Sequence, residues 1–312
     1  MKAIILKDFG GVEQLELTEL PTPVIGEGEV LVQVKAISIN PVDVKTRAGK
    51  GAAAKLKEEN PMILGWDIAG IVTESKAEEF EAGDEVFGMV NYPGHGRAYA
   101  EYVAAPADQL ALKPGNISFE SAAATTLAAL TGWQAFSDHG RLRAGQRVLI
   151  HAAAGGVGHF AVQIARHTGA YVIGTASAEN KDFVLGLGAN ECIDYKTQRF
   201  EEVVKNVDFV LDTIGGEYID RSLQVIKKGG TLVSIPSSAN AGVQEKAKAK
   251  GIFGLPMMVQ SSGEDMQHIA QLLGDGALRA EVSKVFPFDQ MGEAHLAVET
   301  GKTRGKVVVV VG

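Results

Sequence analysis

Residues 153–161 hold the densest chemical signal in the chain. An apolar run, 147–152, leads into Gly155-Gly156-Val157-Gly158, and an amphipathic helical pattern begins at once. Gly156-Val157-Gly158-His159-Phe160-Ala161 reads GxGxxA, an accepted form of the dinucleotide-binding fingerprint. Gly156 permits the tight turn, Gly158 lets the backbone approach a pyrophosphate, and Ala161 lets the helix pack closely on the sheet. The helix N-terminus offers unpaired N–H groups and partial positive charge to the phosphates. The end of the next strand selects the nucleotide. NAD-selective sites carry Asp or Glu there, about 20 residues past the glycines, for the ribose hydroxyls. This chain has Thr175-Ala176-Ser177 followed by Lys181. A hydroxyl and a lysine suit a 2′-phosphate that a carboxylate would repel, so the expected cofactor is NADP(H).

The elements around this motif follow from periodicity. Before residue 114, short runs rich in Val, Ile and Tyr (2–6, 15–17, 29–37, 68–74, 84–89 and 98–104) are separated by Gly, Pro and Asn clusters, which predicts a small barrel or sandwich. Ser118 is a plausible N-cap for a long Ala/Leu-rich helix reaching about residue 137. From residue 146 apolar β runs (147–152, 171–175, 191–193, 207–212, 230–235 and 255–259) alternate with helical stretches such as 160–168 and 181–187. That alternation predicts an α/β unit with a parallel sheet. The valine run 307–311 reads as a buried strand that returns to the β-rich first domain and makes it discontinuous. The expected domains are 1–117 with 285–312, and 118–284.

Composition excludes several classes. With 46% hydrophobic and 22% charged residues over 312 positions, the chain is long and apolar enough for a large core without staples. Its single cysteine, Cys192, permits no internal disulfide and no thiolate-rich zinc or iron–sulfur centre. A net charge of −8 opposes non-specific nucleic-acid or anionic-membrane binding. No apolar run reaches the length of a membrane span, and the start of the sequence lacks a secretory pattern, so the expectation is a cytoplasmic location.

Asn40-Pro41-Val42-Asp43, Gly65-Trp66-Asp67-Ile68-Ala69-Gly70, Ala82-Gly83-Asp84-Glu85-Val86-Phe87-Gly88, Ala98-Tyr99-Ala100-Glu101-Tyr102, the 153–158 loop, 212–216 and 301–306 come in an order that resembles the medium-chain dehydrogenase/reductase superfamily. The likeness is to its zinc-independent quinone oxidoreductase branch and spans the full length. It implies a GroES-like substrate domain built from both chain ends, a Rossmann domain, and an active-site cleft between them. It also implies NADPH-dependent reduction of quinones or of the C=C bond of α,β-unsaturated carbonyls. Zinc-dependent relatives place a cysteine near Asn40 and a His-Glu pair at Trp66-Asp67. Neither is present here, so no metal is expected.

The same resemblance places Asn40 and Thr131 near the nicotinamide or its ribose. It puts Gly155, Gly156, Val157 and Gly158 on the pyrophosphate, Ser177, Lys181 and Tyr195 around the 2′-phosphate, and Ile214, Ile235 and Lys306 beside the cofactor. Many relatives carry a tyrosine within the stretch that here reads 45-KTRAGKG-51, and this chain has none. Lys45 is therefore the candidate oxyanion stabiliser or proton donor, with a structural salt bridge to Asp43 or another carboxylate as the equal alternative. Tyr92, in the Gly-rich loop 91–97, is the candidate to stack on a flat substrate ring. His151 is expected to be a packed, hydrogen-bonded core group. A small-molecule substrate and a homodimer complete the expectation. The alternatives are a non-enzymatic NADPH-binding protein and an alcohol or aldehyde oxidoreductase of the same superfamily.

Overall fold

Branched apolar residues at alternating positions become strands almost everywhere the sequence places them. The computed structural model describes residues 1–236 and 238–312. In chain order the strands are β1 Lys2–Leu6, β2 Leu15–Glu19, β3 Glu29–Ile39, β4 Asp67–Ser75, β5 Glu85–Met89, β6 Tyr102–Pro106, β7 Leu110–Leu112, β8 Arg147–Ile150, β9 Tyr171–Ala176, β10 Glu191–Asp194, β11 Val207–Asp212, β12 Ile226–Ser234, β13 Phe253–Pro256, β14 Val282–Pro287 and β15 Lys306–Val310. The helices are α1 Pro41–Arg47, α2 Ala53–Leu56, α3 Phe119–Gln134, α4 Gly156–His167, α5 Lys181–Gly186, α6 Phe200–Val203, α7 Glu217–Ser222, α8 Val243–Lys248, α9 Gly263–Gly274 and α10 Met291–Glu299.

The chain divides into two compact units, Met1–Leu130 with Gln260–Gly312, and Thr131–Val259. In the second unit, parallel strands run in the order β10-β9-β8-β11-β12-β13. This is the doubly wound order in which the chain reverses direction across the sheet between its first and fourth strands, here β8 and β11. Leu149, Ile173, Val210 and Leu232 from four neighbouring strands pack with Phe200, Ile219 and Val243 into a buried core.

In the first unit, a mixed sheet runs β14-β15-β3-β4-β5-β7, with β6 also paired to β3. β15 lies antiparallel to β3, with Val308 opposite Ser38. The valine-rich last strand thus completes the β-rich domain, as its sequence predicts, because five consecutive valines need cover on both faces.

The domain boundaries differ from expectation. β14 forms a parallel ladder with β15, and α9 packs on β7, so the returning segment starts at Gln260 and not at 285. Most of α3 also stays with the first unit. Ser118 caps it as expected, its Oγ accepting from the Ser121 N–H at 3.2 Å. The expected strand 98–104 is displaced to Tyr102–Pro106, and 255–259 to Phe253–Pro256. Ala98, Tyr99 and Ala100 are buried outside any named strand and meet β1 through a single Ala3–Ala100 bridge, so the apolar run marks packing and one isolated bridge in place of a ladder.

Candidate active site

The nucleotide cradle is built where strand ends release the chain. β8 ends at Ile150, and the His151 N–H crosses to the Leu211 carbonyl at 3.1 Å, at the reversal point of the sheet. Ala152 takes a left-handed φ of 47°, and its carbonyl accepts from the Gly155 N–H at 2.8 Å. α4 follows with Gly155 as its N-cap and no acidic residue in its first turn, so nothing there competes with an anion. A Cβ on Gly158 would stand 2.2 Å from the Ala152 carbonyl oxygen and 2.8 Å from the Ala153 Cα. The glycine is therefore required by the loop's own backbone, before any ligand is considered.

Apart from Lys306, which opens β15, the remaining expected nucleotide contacts follow the C-terminal ends of parallel strands. Ser177 follows β9 and is buried, with Asn180 Nδ2 donating to its Oγ at 3.2 Å. Lys181 opens α5 and is exposed. Tyr195 follows β10, half exposed, and its N–H donates to the Ala176 carbonyl at 3.2 Å, which places it beside Ser177. The nearby Glu179 carboxylate is turned to Lys196 at 3.5 Å.

Ile214 and Ile235 are both positioned by Asp212, which the sequence reading quotes in the 212–216 motif without giving it a role of its own. One Asp212 oxygen accepts from the Ile214 and Gly215 N–H groups at 3.0 and 2.8 Å, the other from Ser234 Oγ at 2.8 Å, and its carbonyl accepts from the Ile235 N–H. Thr131 is buried in the last turn of α3. His151 is the expected core group: its ring nitrogens meet Ser222 Oγ at 2.9 Å and Thr175 Oγ1 at 3.3 Å. Burial pushes its pKa down to about 3, with the Arg221 charge adding to the effect.

In the first unit a buried polar cluster gathers at the end of β3. Asn40 Nδ2 donates to Asp67 Oδ2 at 2.7 Å and to the Ser38 carbonyl at 3.4 Å. Asn40 Oδ1 accepts from Lys306 Nζ, which also donates to the Ile39 carbonyl at 3.2 Å. Asp67 Oδ1 accepts the Leu127 N–H at 3.1 Å, and Asp43 Oδ2 accepts the Asn40 N–H at 2.7 Å. All of these side chains are almost fully buried. Burial raises the Asp43 pKa to about 7, helped by the Asp67 charge and opposed by the Asn40 N–H and Lys306. Burial likewise raises Asp67 and lowers Lys306, while the opposite charges pull each back.

Behind the cluster, the Tyr99 hydroxyl meets His295 Nε2 at 2.8 Å, and burial takes the His295 pKa down to about 3. Arg47 is buried and pairs with Glu299. Tyr92 packs edge-on against Trp66 with ring centroids 5.3 Å apart, and its N–H is held by Ser261 Oγ at 3.1 Å. Burial raises its phenol pKa, and the Asp43 charge raises it further, so the ring lies within the field of the cluster.

The chain's relatives carry the same architecture. Family models for the alcohol dehydrogenase GroES-like domain and for a zinc-binding dehydrogenase match residues 26–115 and 187–309. An NADPH-dependent alkenal/one oxidoreductase of chloroplasts from Arabidopsis thaliana is 34% identical, the alignment covering 99% of this chain and 79% of that protein. The quinone oxidoreductase from Coxiella burnetii superposes with a TM-score of 0.94 at 39% identity, covering 100% and 99% of the two chains. That of Escherichia coli, solved with NADPH, gives 0.87 at 29% identity, covering 99% and 100%.

The chain belongs to the medium-chain dehydrogenase/reductase superfamily. Among the described residues no three His, Cys, Asp or Glu side chains converge, and the two carboxylates near Asn40 already share their pocket with an ammonium.

Lys45, the expected oxyanion stabiliser of this superfamily member, needs correction. It is exposed on α1, whereas Asp43, Thr46 and Arg47 on the same helix are buried. At 100° per residue, Lys45 faces away from Asp43, and the lysine that reaches the cluster is Lys306. The alternative Lys45–Asp43 salt bridge is not formed either: Asp43 bonds the Asn40 N–H instead. Lys306, expected beside the cofactor, turns its ammonium inward onto Asn40 and Ile39. Sequence reasoning missed Asp67, Tyr99 and His295 as cluster members. The first two lie in quoted motifs, but nothing local to His295 marks it.

Proposed function

We propose that this oxidoreductase uses NADPH, without a metal, to reduce quinones or the C=C bond of α,β-unsaturated carbonyls. The observation that carries the proposal is the strand-end constellation of one sheet. A glycine-lined helix start free of acidic residues lies one strand away from Ser177 and Lys181 and two from Tyr195, a set that offers a hydroxyl, a cation and a phenol to a 2′-phosphate. The alkenal/one and quinone oxidoreductases that resemble the chain support the substrate class.

Gly155, Gly156, Val157 and Gly158 hold the pyrophosphate; Ser177, Lys181 and Tyr195 the 2′-phosphate; Ile214 and Ile235 flank the nucleotide. Bound NADPH supplies the hydride that the protein cannot. The residues bind, orient and exclude water, and proximity contributes much of the rate. The residues proposed for the nicotinamide end are Thr131 in one unit and Asn40 in the other, and Tyr92 offers a flat, braced ring to a planar substrate. A cytoplasmic location belongs to the same reading. So does a homodimer paired along β13, an outer strand of its sheet with Phe253 68% exposed.

The test is loss of reduced-nicotinamide absorbance with quinones, enones and simple aldehydes, with NADPH and NADH in parallel and with a chelator. Turnover of quinones or enones with NADPH that survives chelation supports the proposal. NADPH binding without turnover on any of them overturns it in favour of a binding role.

A further inference from the structure

Hydrogen-bond accounting at Asn40 changes what that residue can do. Its two amide protons go to Asp67 and Ser38, and its carbonyl takes the Lys306 ammonium. It has no N–H left for a substrate oxygen. Turning the amide over would set its NH2 against an ammonium and its carbonyl against a carboxylate, so the surrounding charges fix its orientation. The free valences of the cluster lie elsewhere. Ser38 Oγ is buried without a hydrogen-bond partner, the Asp43 carboxylate has only the Tyr99 hydroxyl beside it beyond its bond to the Asn40 N–H, and Lys306 has a third N–H beyond its two bonds.

The charge count is uneven. Two buried carboxylates, Asp43 and Asp67, face one ammonium, Lys306. From α1 and α10, Arg47 and His295 stand behind the Tyr99 hydroxyl, which lies against Asp43. Arg47 is itself paired with Glu299, and His295 is held neutral by burial. From the 91–97 loop the Tyr92 phenol feels Asp43. The cluster therefore holds either one proton or one net negative charge. Hydride addition to an enone or quinone puts negative charge on the substrate oxygen, and a proton from solvent or from an acid must complete the reduction. An unneutralised Asp43 opposes that charge.

We propose that Lys306 is a positioning residue for the reduction. Its ammonium locks the Asn40 amide and offsets the Asp43–Asp67 pair, and the proton-holding form of Asp43 is the form that turns over. This rests on the reductase reading above. Loss of the cation raises the proton affinity of Asp43, because Asp67 then acts on it uncompensated.

The experiment is the pH profile of kcat at saturating NADPH, together with a 13C carboxyl NMR titration of Asp43, its signal assigned by loss in Asp43→Asn. The wild-type kcat should fall as pH rises through about 7, where Asp43 gives up its proton. Asp43→Asn should abolish that fall. Lys306→Met should shift both midpoints upward by roughly tenfold in proton affinity, about one pH unit. Lys306→Arg should hold them near the wild-type value, and Lys306→Met/Asp67→Asn should bring them back. Lys306 variants with weakened NADPH binding and unmoved midpoints would overturn the proposal and return Lys306 to the cofactor site. A wild type inactive on all quinones and enones would sink the reductase reading, and the carboxyl titration would still decide whether Lys306 governs Asp43. An unshifted midpoint in a folded Lys306→Met protein refutes it.

Discussion

Replacing Gly158 with alanine tests the cradle most sharply, because the cost follows from distances. The added methyl would sit 2.2 Å from the Ala152 oxygen, more than 1 Å inside ordinary contact, which begins at 3.4 Å. The loop cannot easily retreat. The Ala152 carbonyl already accepts the Gly155 N–H, the Ala153 N–H is bonded to the Thr175 carbonyl at 2.9 Å, and Ala152 sits at positive φ. α4 must move instead, and its Ala161 already stands so close to Gly132 that a Cβ added to that glycine would meet the Ala161 Cα at 3.4 Å. Overpacking of this kind costs about 1–3 kcal/mol. Expressed as stability it lowers Tm by roughly 3–10 °C. Expressed in binding it weakens NADPH by about 5–150-fold. Gly155→Ala is the control. Its methyl would stand 3.2 Å from the same oxygen, and its φ of −80° and ψ of −176° suit alanine, so as a control for folding stability, though not for binding, it should stay within about 0.5 kcal/mol. Thermal unfolding and fluorescence titration with NADPH read both variants. A Gly158→Ala protein indistinguishable from wild type in Tm and in Kd would refute the reasoning.

Lys181→Ala should weaken NADPH by roughly tenfold or more, the worth of a charge-assisted phosphate contact, and leave NADH nearly unchanged; equal losses in paired titrations would remove Lys181 from the phosphate site. Lys45→Ala should leave turnover and NADPH affinity as they are, because the side chain faces away from the cluster, and a large fall in kcat would restore it as a catalytic candidate. Acid sensitivity follows from His151 and His295, each held to about 3 in the folded chain against 6.5 unfolded. The unfolded state takes up protons first, so stability should decline as pH drops from 6.5 towards 3. Urea midpoints measured across that range should show a decline that His151→Asn blunts, and an unchanged slope would count against it.

The legible parts were those written in contiguous sequence. The 147–161 strand, loop and helix can be read as one motif because each residue's duty concerns its immediate neighbours. The cluster around Asn40 could not be read that way, since its members come from β3, β4, α1, α3 and β15. Lys45 was favoured for closeness in sequence to Asp43, although helical phase already separates them: Asp43, Thr46 and Arg47 share a face at i, i+3 and i+4, and Lys45 does not. Lys306 was assigned outward by analogy because nothing local shows that its ammonium is needed inside. The sequence motif gives Gly158 a duty toward the ligand, and the structure adds a second one that the motif does not show, because a Cβ there would meet the loop's own Ala152 carbonyl. β14, with Ser283 and Lys284 between its valines, lacks the apolar run that made β15 plain.

The partners Asn40 and Lys306 are 266 positions apart, and β15 is the strand that covers the 36–39 end of β3, next to the cluster. At about 5–20 residues per second, the ribosome delivers the lysine roughly 13–53 s after the asparagine. For that interval the emerging first domain carries two acids destined for burial with no cation to accompany them, and β3 has an open edge. Asp43 and Asp67 therefore have reason to remain hydrated until the last strand arrives, while the nucleotide unit, contiguous in sequence, is free to fold ahead. The position of one lysine thereby makes biosynthetic order part of how the site is assembled, and a chain cut short before β15 would leave the first domain as the exposed, chaperone-dependent half.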